Sequence, residues 1–579
     1  MAVEAKQKFI SERALGKRTT GADVLMQSLV EEGVDTIFGY PGGAIMPVYA
    51  ALYDYTESGR IRHVLTRHEQ GAGHAAEGYA WMKGEPGVVF ATSGPGATDL
   101  LTSVLNAKLD STPVVYITGQ VANPIGKEAF QEAPIVEMSQ LITKWSYQIR
   151  NAGEIPDVLH RAFTIAANGR PGPVLIDFPK DVQNEYAYYH HAELGGRGSK
   201  PPLTSETLRQ LQEATDLLNQ AQKPYILAGH GVTLSHGEQE LLVLAEKAGI
   251  PVANTLLGLS SIPTDHPLFV GMVGMHGRLG ANVLTNQADV ILAVGMRFAD
   301  RVTGTRIDSY APQAKIIHID IEPEQLDKII KAEIPIHADA KIALGQILRG
   351  LEKREYTDWV NKFRQLDATE YERVTKKLLA AETKYLRMAE VVNRLAGLTS
   401  HNSVLVADVG QHQMKTAQFS RFKESKSFIT SGGAGTMGFA LPAAIGIKIA
   451  TPERQVIVVT GDGSFQMNSQ ELATIAQEKL PIKIIILDNT YLGMVRQWQD
   501  RHHGGRHSFV DMQNPDFVML ALSHGIRGRS VTKREDLGGA FRKMFSAQGP
   551  YLLDIKVSKG ENVYPIMVPG STVEEITLE

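Results

Sequence analysis

The residues best placed to do chemistry lie in the stretch from Val456 to Trp498. Asp462 sits between Gly461 and Gly463, at the end of the apolar run Val456–Val459. Asn489 closes a second apolar run, Ile482–Leu487, 27 residues further on. Apolar runs bounded by glycine or polar residues read as buried parallel strands. Between them Ser469–Glu478 reads as a helix with Leu472, Ile475 and Ala476 on one face. Strand, helix, strand is a right-handed crossover. It carries Asp462 and Asn489 to the carboxyl edge of one sheet, where open α/β sheets bind ligands. A carboxylate and an amide oxygen suit Mg²⁺, which completes its shell with waters and phosphate oxygens. The spacing therefore predicts a Mg²⁺–diphosphate site, whereas Gly461-Asp462-Gly463 alone would equally be a tight turn.

The elements that must position these residues follow an alternating pattern. From Gly21 to about Lys180, helix Ala22–Glu32 precedes strands Thr36–Gly39, Ile61–Thr66, Val88–Thr92, Pro113–Thr118 and Val174–Phe178. Tyr40–Ala44 is a turn opening a helix, and Glu69 begins another. An acid at a helix start is favourable with the helix dipole whatever its role. Residues 185–205 have no period and read as a linker. A second α/β region, 206–345, has strands Tyr225–Ala228, Val252–Ala253, Val290–Val294 and Lys315–Ile319, each followed by a turn. Asp320 and Asp339, at strand ends, suit ribose hydroxyls. Residues 346–395 read as a helical linker whose charged part is a solvated face, and 396–560 as the last domain, with 561–579 a tail. Residues 1–20 read as a mobile tail, and 21–184 as the first domain. The expected fold is thus α/β, three domains each with a mostly parallel sheet flanked by helices.

The 579 residues suffice for three or four domains, and 43% hydrophobic content supplies large cores. A net charge of −4 implies no nucleic-acid partner. Absence of cysteine excludes disulfides and thiol chemistry and fits cytoplasm. No apolar run approaches the roughly 18 residues of a membrane span. Gly433-Ala-Gly-Thr-Met-Gly438 has the form of a dinucleotide fingerprint. No acid follows about 20 residues on at a second strand end, so that reading is rejected.

Gly461-Asp462-Gly463 running on to Asn489, with Tyr491–Gln499 reading YLGMVRQWQ, resembles the thiamine-diphosphate (ThDP) motif of acetohydroxyacid synthases, biosynthetic catalytic type. The resemblance runs from about Gly21 to the C-terminus. It implies Mg²⁺ held by Asp462, Asn489 and Tyr491. It gives Val409, Gln411, His412, Gly435, Gly463, Ser464 and Met494 to ThDP, and makes Met437 the wedge that bends the cofactor. It makes Glu69 the acid that addresses the aminopyrimidine N1′ and favours its imino tautomer. Gly43, Ala44, Phe130 and Gln131 match positions around the reacting carbon. Lys180 belongs to the substrate channel, Arg301 to the carboxylate of the second 2-oxo acid, and Trp498 to an acceptor pocket favouring 2-oxobutyrate. The central domain would bind FAD through Arg170, Gly229, Thr255, Leu256, Gly274, Met275, His276, Gly295, Arg297, Asp320, Ile321 and Asp339. Five residues depart from the pattern: Asp488 for Asn, Ala299 for an acid, Lys415 for Trp, and Lys127-Glu128 for Thr-Asp.

The implied activity is decarboxylation of pyruvate on ThDP and transfer of the hydroxyethyl carbanion to a second pyruvate or to 2-oxobutyrate. The products, 2-acetolactate and 2-aceto-2-hydroxybutyrate, enter valine, leucine and isoleucine biosynthesis. FAD is not required by the redox balance. The resemblance further implies a homodimer or tetramer with active sites shared between chains, and a separate small regulatory subunit. Pyruvate oxidase, a simple 2-oxo acid decarboxylase and a non-catalytic nucleotide sensor remain as alternatives. Glu69 disfavours glyoxylate carboligase.

Overall fold

The computed structural model describes residues 18–123, 128–192, 198–381 and 383–579. It divides into two compact units. One is built from the chain up to Ser199 with Gly433–Pro452 and Asn468–Leu480; the other comprises Lys200–Gly432, Glu453–Met467 and Pro481–Glu579.

The first unit holds strands β1 (Arg18–Thr20), β2 (Thr36–Gly39), β3 (Arg62–Leu65), β4 (Gly87–Ala91), β5 (Val114–Gln120), β6 (Trp145–Gln148), β7 (Pro173–Pro179) and β8 (Tyr186–Tyr188). Six of them form a wholly parallel sheet in the order β3-β2-β4-β5-β7-β6. Its central strands are buried along their length, which is why they read as unbroken apolar runs. Phe90, Ile117, Ile176 and Phe178 pack against Val24, Leu25 and Leu29 of helix Gly21–Glu31. Helix Glu69–Lys83 is buried on nearly every side and packs on helix Ala440–Ala450 through glycine. A Cβ on Gly78 would strike Ala443 O, and one on Gly446 would strike Ala75 O.

The second unit carries two further parallel six-stranded sheets. The central one has β9 (Pro224–Ala228), β10 (Val252–Asn254), β11 (Phe269–Met272), β12 (Val290–Val294), β13 (Lys315–Asp320) and β14 (Ile334–His337), in the order β11-β10-β9-β12-β13-β14. The last has β15 (Ser403–Ala407), β16 (Phe428–Thr430), β17 (Gln455–Gly461), β18 (Lys483–Asp488), β19 (Arg527–Val531) and β20 (Tyr551–Lys556), in the order β16-β15-β17-β18-β20-β19. A short antiparallel pair, β21 (Ile566–Met567) and β22 (Ile576–Thr577), follows. The α/β class with three parallel sheets is thus as the apolar runs dictate.

Several segment readings are corrected. Of the expected tail 1–20, residues 1–17 lie outside the described residues, but Arg18–Thr20 pairs antiparallel with Tyr186–Tyr188, inside the expected linker 185–205. Residues 193–197 of that linker and Lys127 also lie outside the description. The linker 346–395 is only partly solvated: Trp359 and Phe363 of helix Thr357–Glu370 are buried in the core of the central sheet. The tail 561–579 is anchored in that core by Met567 and Val573. Ser469–Glu478 is helical as expected, a 3₁₀ turn Ser469–Glu471 running straight into helix Leu472–Gln477. A separate short helix, Asp462–Met467, starts at once after β17, and a single turn of this length leaves no period to read.

Candidate active site

In the first unit the expected residues gather at the carboxyl edge of the sheet. Glu69 opens its helix four residues after β3, behind the N-cap His68, whose Nδ1 accepts Gln70 N–H at 3.1 Å. The turn after β4 is the hub. A Cβ on Gly96 would lie 2.9 Å from Glu69 Oε1, so the turn covers that carboxyl group. Thr92 Oγ1 accepts Ala44 N–H at 3.2 Å, and Gln183 Nε2 donates to Ala44 O at 2.7 Å. Gly94, at φ +59°, abuts Gln131, itself at φ +61°. Glu69, Gly43-Ala44 and Gln131 are therefore held around one turn. Partial burial pushes the Glu69 carboxyl up from its ordinary range, against the opposing pull of a backbone hydrogen bond and His68. Phe130 is 87% exposed, and Lys180 is exposed at the start of a short helix after β7. Arg170 donates to Ser111 Oγ at 2.7 Å. Gly435, at φ +67°, and Met437 lie in the turn before helix Ala440–Ala450, which Thr436 ties to Asn106 Oδ1 at 3.0 Å.

In the second unit β17 and β18 are parallel neighbours, with Gly461 in register with Leu487. Asp462 and Asn489 therefore emerge side by side, 2% and 3% exposed. Asn489 Oδ1 accepts Tyr491 N–H at 3.0 Å. Burial pushes the Asp462 carboxyl up to about 7; the charge of Asp488 adds to this and the amide of Asn514 opposes it. A buried carboxylate short of countercharge beside an amide oxygen is a hard-oxygen donor set, and it fits Mg²⁺. The departure at Asp488 is neutralised locally. Its carboxylate accepts Thr490 N–H at 3.0 Å and Asn514 Nδ2 at 2.9 Å, and Lys556 forms an ion pair with it. Burial alone would lower Lys556; Asp488 and Asp554 override it and raise it.

Asn514 also belongs to this site. Its Nδ2 donates to Asp462 Oδ2 at 2.7 Å as well, across 52 residues. In sequence Asn514-Pro515-Asp516 signals only a turn before helix Phe517–Ser523, so nothing local could have found it. Around this pair, Ser464 Oγ donates to Val409 O at 2.8 Å. Gln411 Oε1 and His412 Nε2 are buried with no hydrogen-bond partner among the described residues. Such orphans call for a polar ligand, and ThDP fits here. Met494 lies in the first turn of helix Gly493–His502, on which Trp498 stacks over His502 at 5.2 Å.

At the central sheet, Gly229, Thr255-Leu256, Gly274–His276, Gly295, Arg297, Asp320-Ile321 and Asp339 all sit at or just beyond carboxyl ends of strands. Gly274 must be glycine: its φ is +105°, and a Cβ would stand 2.5 Å from Arg301 O. Met275 N–H donates to that same Arg301 O at 2.7 Å, so the two loops are bound together. Arg301 and Asp300 pair at 3.3 Å, both largely exposed. Asp339 is partly committed elsewhere: it caps helix Ala340–Gly350 through Ile342 N–H and pairs with Lys200 at 2.9 Å. His276 Nδ1 is a buried orphan, so a polar ligand fits this edge.

Three family models match in order: the thiamine pyrophosphate enzyme N-terminal TPP binding domain over residues 19–139, the central domain over 211–347, and the C-terminal TPP binding domain over 408–555. Fold and site thus define a thiamine pyrophosphate enzyme. The chain is 44% identical to a probable acetolactate synthase large subunit of Methanocaldococcus jannaschii, covering 96% of this chain and 95% of that one. It is 42% identical to the acetolactate synthase large subunit of Corynebacterium glutamicum (97% and 91%). It is 40% identical to the acetolactate synthase isozyme 2 large subunit of Escherichia coli (96% and 99%). The chain belongs to the acetolactate synthase large-subunit family. Among the described residues no helix is long and apolar enough to cross a membrane.

Proposed function

We propose that this chain is the catalytic subunit of an acetohydroxyacid synthase. It joins two pyruvates, or pyruvate and 2-oxobutyrate, with loss of one CO₂, giving 2-acetolactate or 2-aceto-2-hydroxybutyrate without net oxidation. The observation that carries the reading is the buried pair Asp462 and Asn489 on adjacent parallel strands. Bound ThDP would supply an electron sink for the decarboxylation. Asp462, Asn489 and Tyr491 would hold Mg²⁺, and Val409, Gln411, His412, Gly463, Ser464, Gly435, Met437 and Met494 would hold and bend the cofactor. Glu69, its carboxyl raised by burial, would hold a proton at its Oε for the aminopyrimidine nitrogen. Gly43, Ala44, Phe130 and Gln131 would enclose the reacting carbon and exclude water. Lys180 would line the entry. The Arg301 fork would orient the acceptor carboxylate, its planar geometry matching that anion, and Trp498 would favour the larger acceptor.

FAD bound along the central sheet edge, a homodimer or tetramer whose chains share active sites, and a cytoplasmic setting complete the proposal. The name "large subunit" borne by the relatives supports a separate small regulatory subunit. The test is an anaerobic incubation with pyruvate, Mg²⁺, ThDP and FAD. Acetolactate is expected with no added electron acceptor. Acetaldehyde or acetate in its place would overturn the ligase reading and the roles of Arg301 and Trp498.

A further inference from the structure

Helix Gln411–Phe419 carries a lysine that the fold buries completely. Lys415 is 0% exposed, and its Nζ has no hydrogen-bond partner among the described residues. The Phe419 ring lies 5.7 Å away. The carboxylate facing it, Glu561, stands 3.6 Å off, beyond hydrogen-bonding reach. That carboxylate is already engaged, since its oxygens accept Met388 N–H at 2.7 Å and Ala389 N–H at 3.3 Å at the start of helix Met388–Ala396. A buried amine with unmet donors is costly, so the cluster is complete only with an acceptor supplied from outside.

Two more orphans adjoin it. Gln418, one turn further along the same helix, donates Nε2 to His276 O at 3.0 Å and leaves Oε1 unpartnered. His276 lies close to Pro565, and its Nδ1 is unpartnered. Burial holds this ring neutral, pulling it down to about 4, and the Lys415 charge acts in the same direction. A neutral imidazole carries one lone-pair acceptor, and the unpartnered Nδ1 can serve as it. The cluster thus offers a donor at Lys415 and potential acceptors at His276 and Gln418. An inorganic anion suits it poorly, because its further oxygens would meet the two acceptors. A flat heterocycle that sets a carbonyl acceptor beside an N–H donor would meet the lysine and one of the two acceptors.

We propose that Lys415, with His276 and Gln418, binds the pyrimidine edge of a flavin, the lysine donating to its C2 carbonyl or N1. This rests on the reading that the central sheet edge holds FAD. Burial pulls the Lys415 ammonium below its ordinary range and Glu561 opposes that; the charged lysine at that edge stabilises the negative charge that reduction places there and so favours the reduced cofactor.

The test compares full-length wild type, Lys415→Met and Lys415→Arg, each reconstituted with FAD, for flavin affinity and midpoint potential. Lys415→Met should lose about tenfold of the preference for reduced over oxidised flavin, about 30 mV for the two-electron couple. Lys415→Arg should retain most of it. A Lys415→Met flavin with the wild-type potential would overturn the contact. If Lys415→Met does not fold, wild type with 2-thio-FAD serves. Sulfur is the weaker acceptor, so affinity should fall about tenfold below that for FAD, and equal affinities overturn the proposal. A wild type that binds no FAD at all would instead sink the flavin reading beneath it.

Discussion

Gly446→Ala should destabilise the first unit, although alanine in a helix interior ordinarily gains about 1 kcal/mol over glycine. Gly446 lies within helix Ala440–Ala450, against helix Glu69–Lys83. An added Cβ would fall well under 3.0 Å from Ala75 O, closer than real Cβ atoms come, and its other near neighbours are backbone atoms of Ala75 and Tyr79 that cannot swing aside. The two helices must therefore part. Overpacking of a close-packed interface costs about 1–3 kcal/mol, which exceeds the propensity gain. The net loss, up to about 2 kcal/mol, lowers the melting temperature by roughly 2–4 °C per kcal/mol for a domain of 150–250 residues. Gly345→Ala is the control. It lies inside helix Ala340–Gly350 with nothing within 4 Å of its Cβ position, so the same substitution should raise stability. Thermal unfolding by circular dichroism of both variants gives the signs. A Gly446→Ala melt at or above wild type would refute the close-packing argument. Because Glu69 sits in the first turn of the displaced helix, turnover of Gly446→Ala should fall more than that of Gly345→Ala.

Glu69→Gln should retain ThDP binding while losing most turnover; calorimetric binding and initial rates separate the two, and equal loss of both would end the proton-holding role. Asn514→Ala removes the amide shared by Asp462 and Asp488 and should weaken Mg²⁺ activation about 10–100-fold, as outer-shell partners do; an unchanged Mg²⁺ titration would dismiss it. His412 is held neutral by burial, its ring lowered to about 3. As pH falls below the ordinary 6.5, the unfolded chain takes up a proton that the folded chain refuses. This contribution is full above 6.5 and is lost at about 1.4 kcal/mol per pH unit down to about 3. Denaturant titrations from pH 7 to 5 should therefore show wild type losing more stability than His412→Gln, and parallel slopes would contradict the burial.

The three parallel sheets were legible because strands covered on both faces read as apolar runs, and the period-independent signal survives without tertiary information. Asp462 and Asn489 were legible for the same reason, since each ends such a run and adjacent parallel strands deliver their ends to one edge. Short or half-exposed strands left less trace. Trp145–Gln148, Arg527–Val531 and Tyr186–Tyr188 stand at sheet margins, where one side needs no apolar residue. Contacts made across long separations left none. Asn514 reaches Asp462 across 52 residues, and Lys556 neutralises Asp488 across 68. The buried Lys415, in a sequence where lysine ordinarily means surface, faces Glu561 of the far C-terminal segment at 3.6 Å. The sequence by itself determined the local runs, the turns and the residues that end them, because these depend on neighbours in the chain. Which charges are buried, and what compensates them, was decided only by the tertiary structure, because desolvation and pairing depend on neighbours in space.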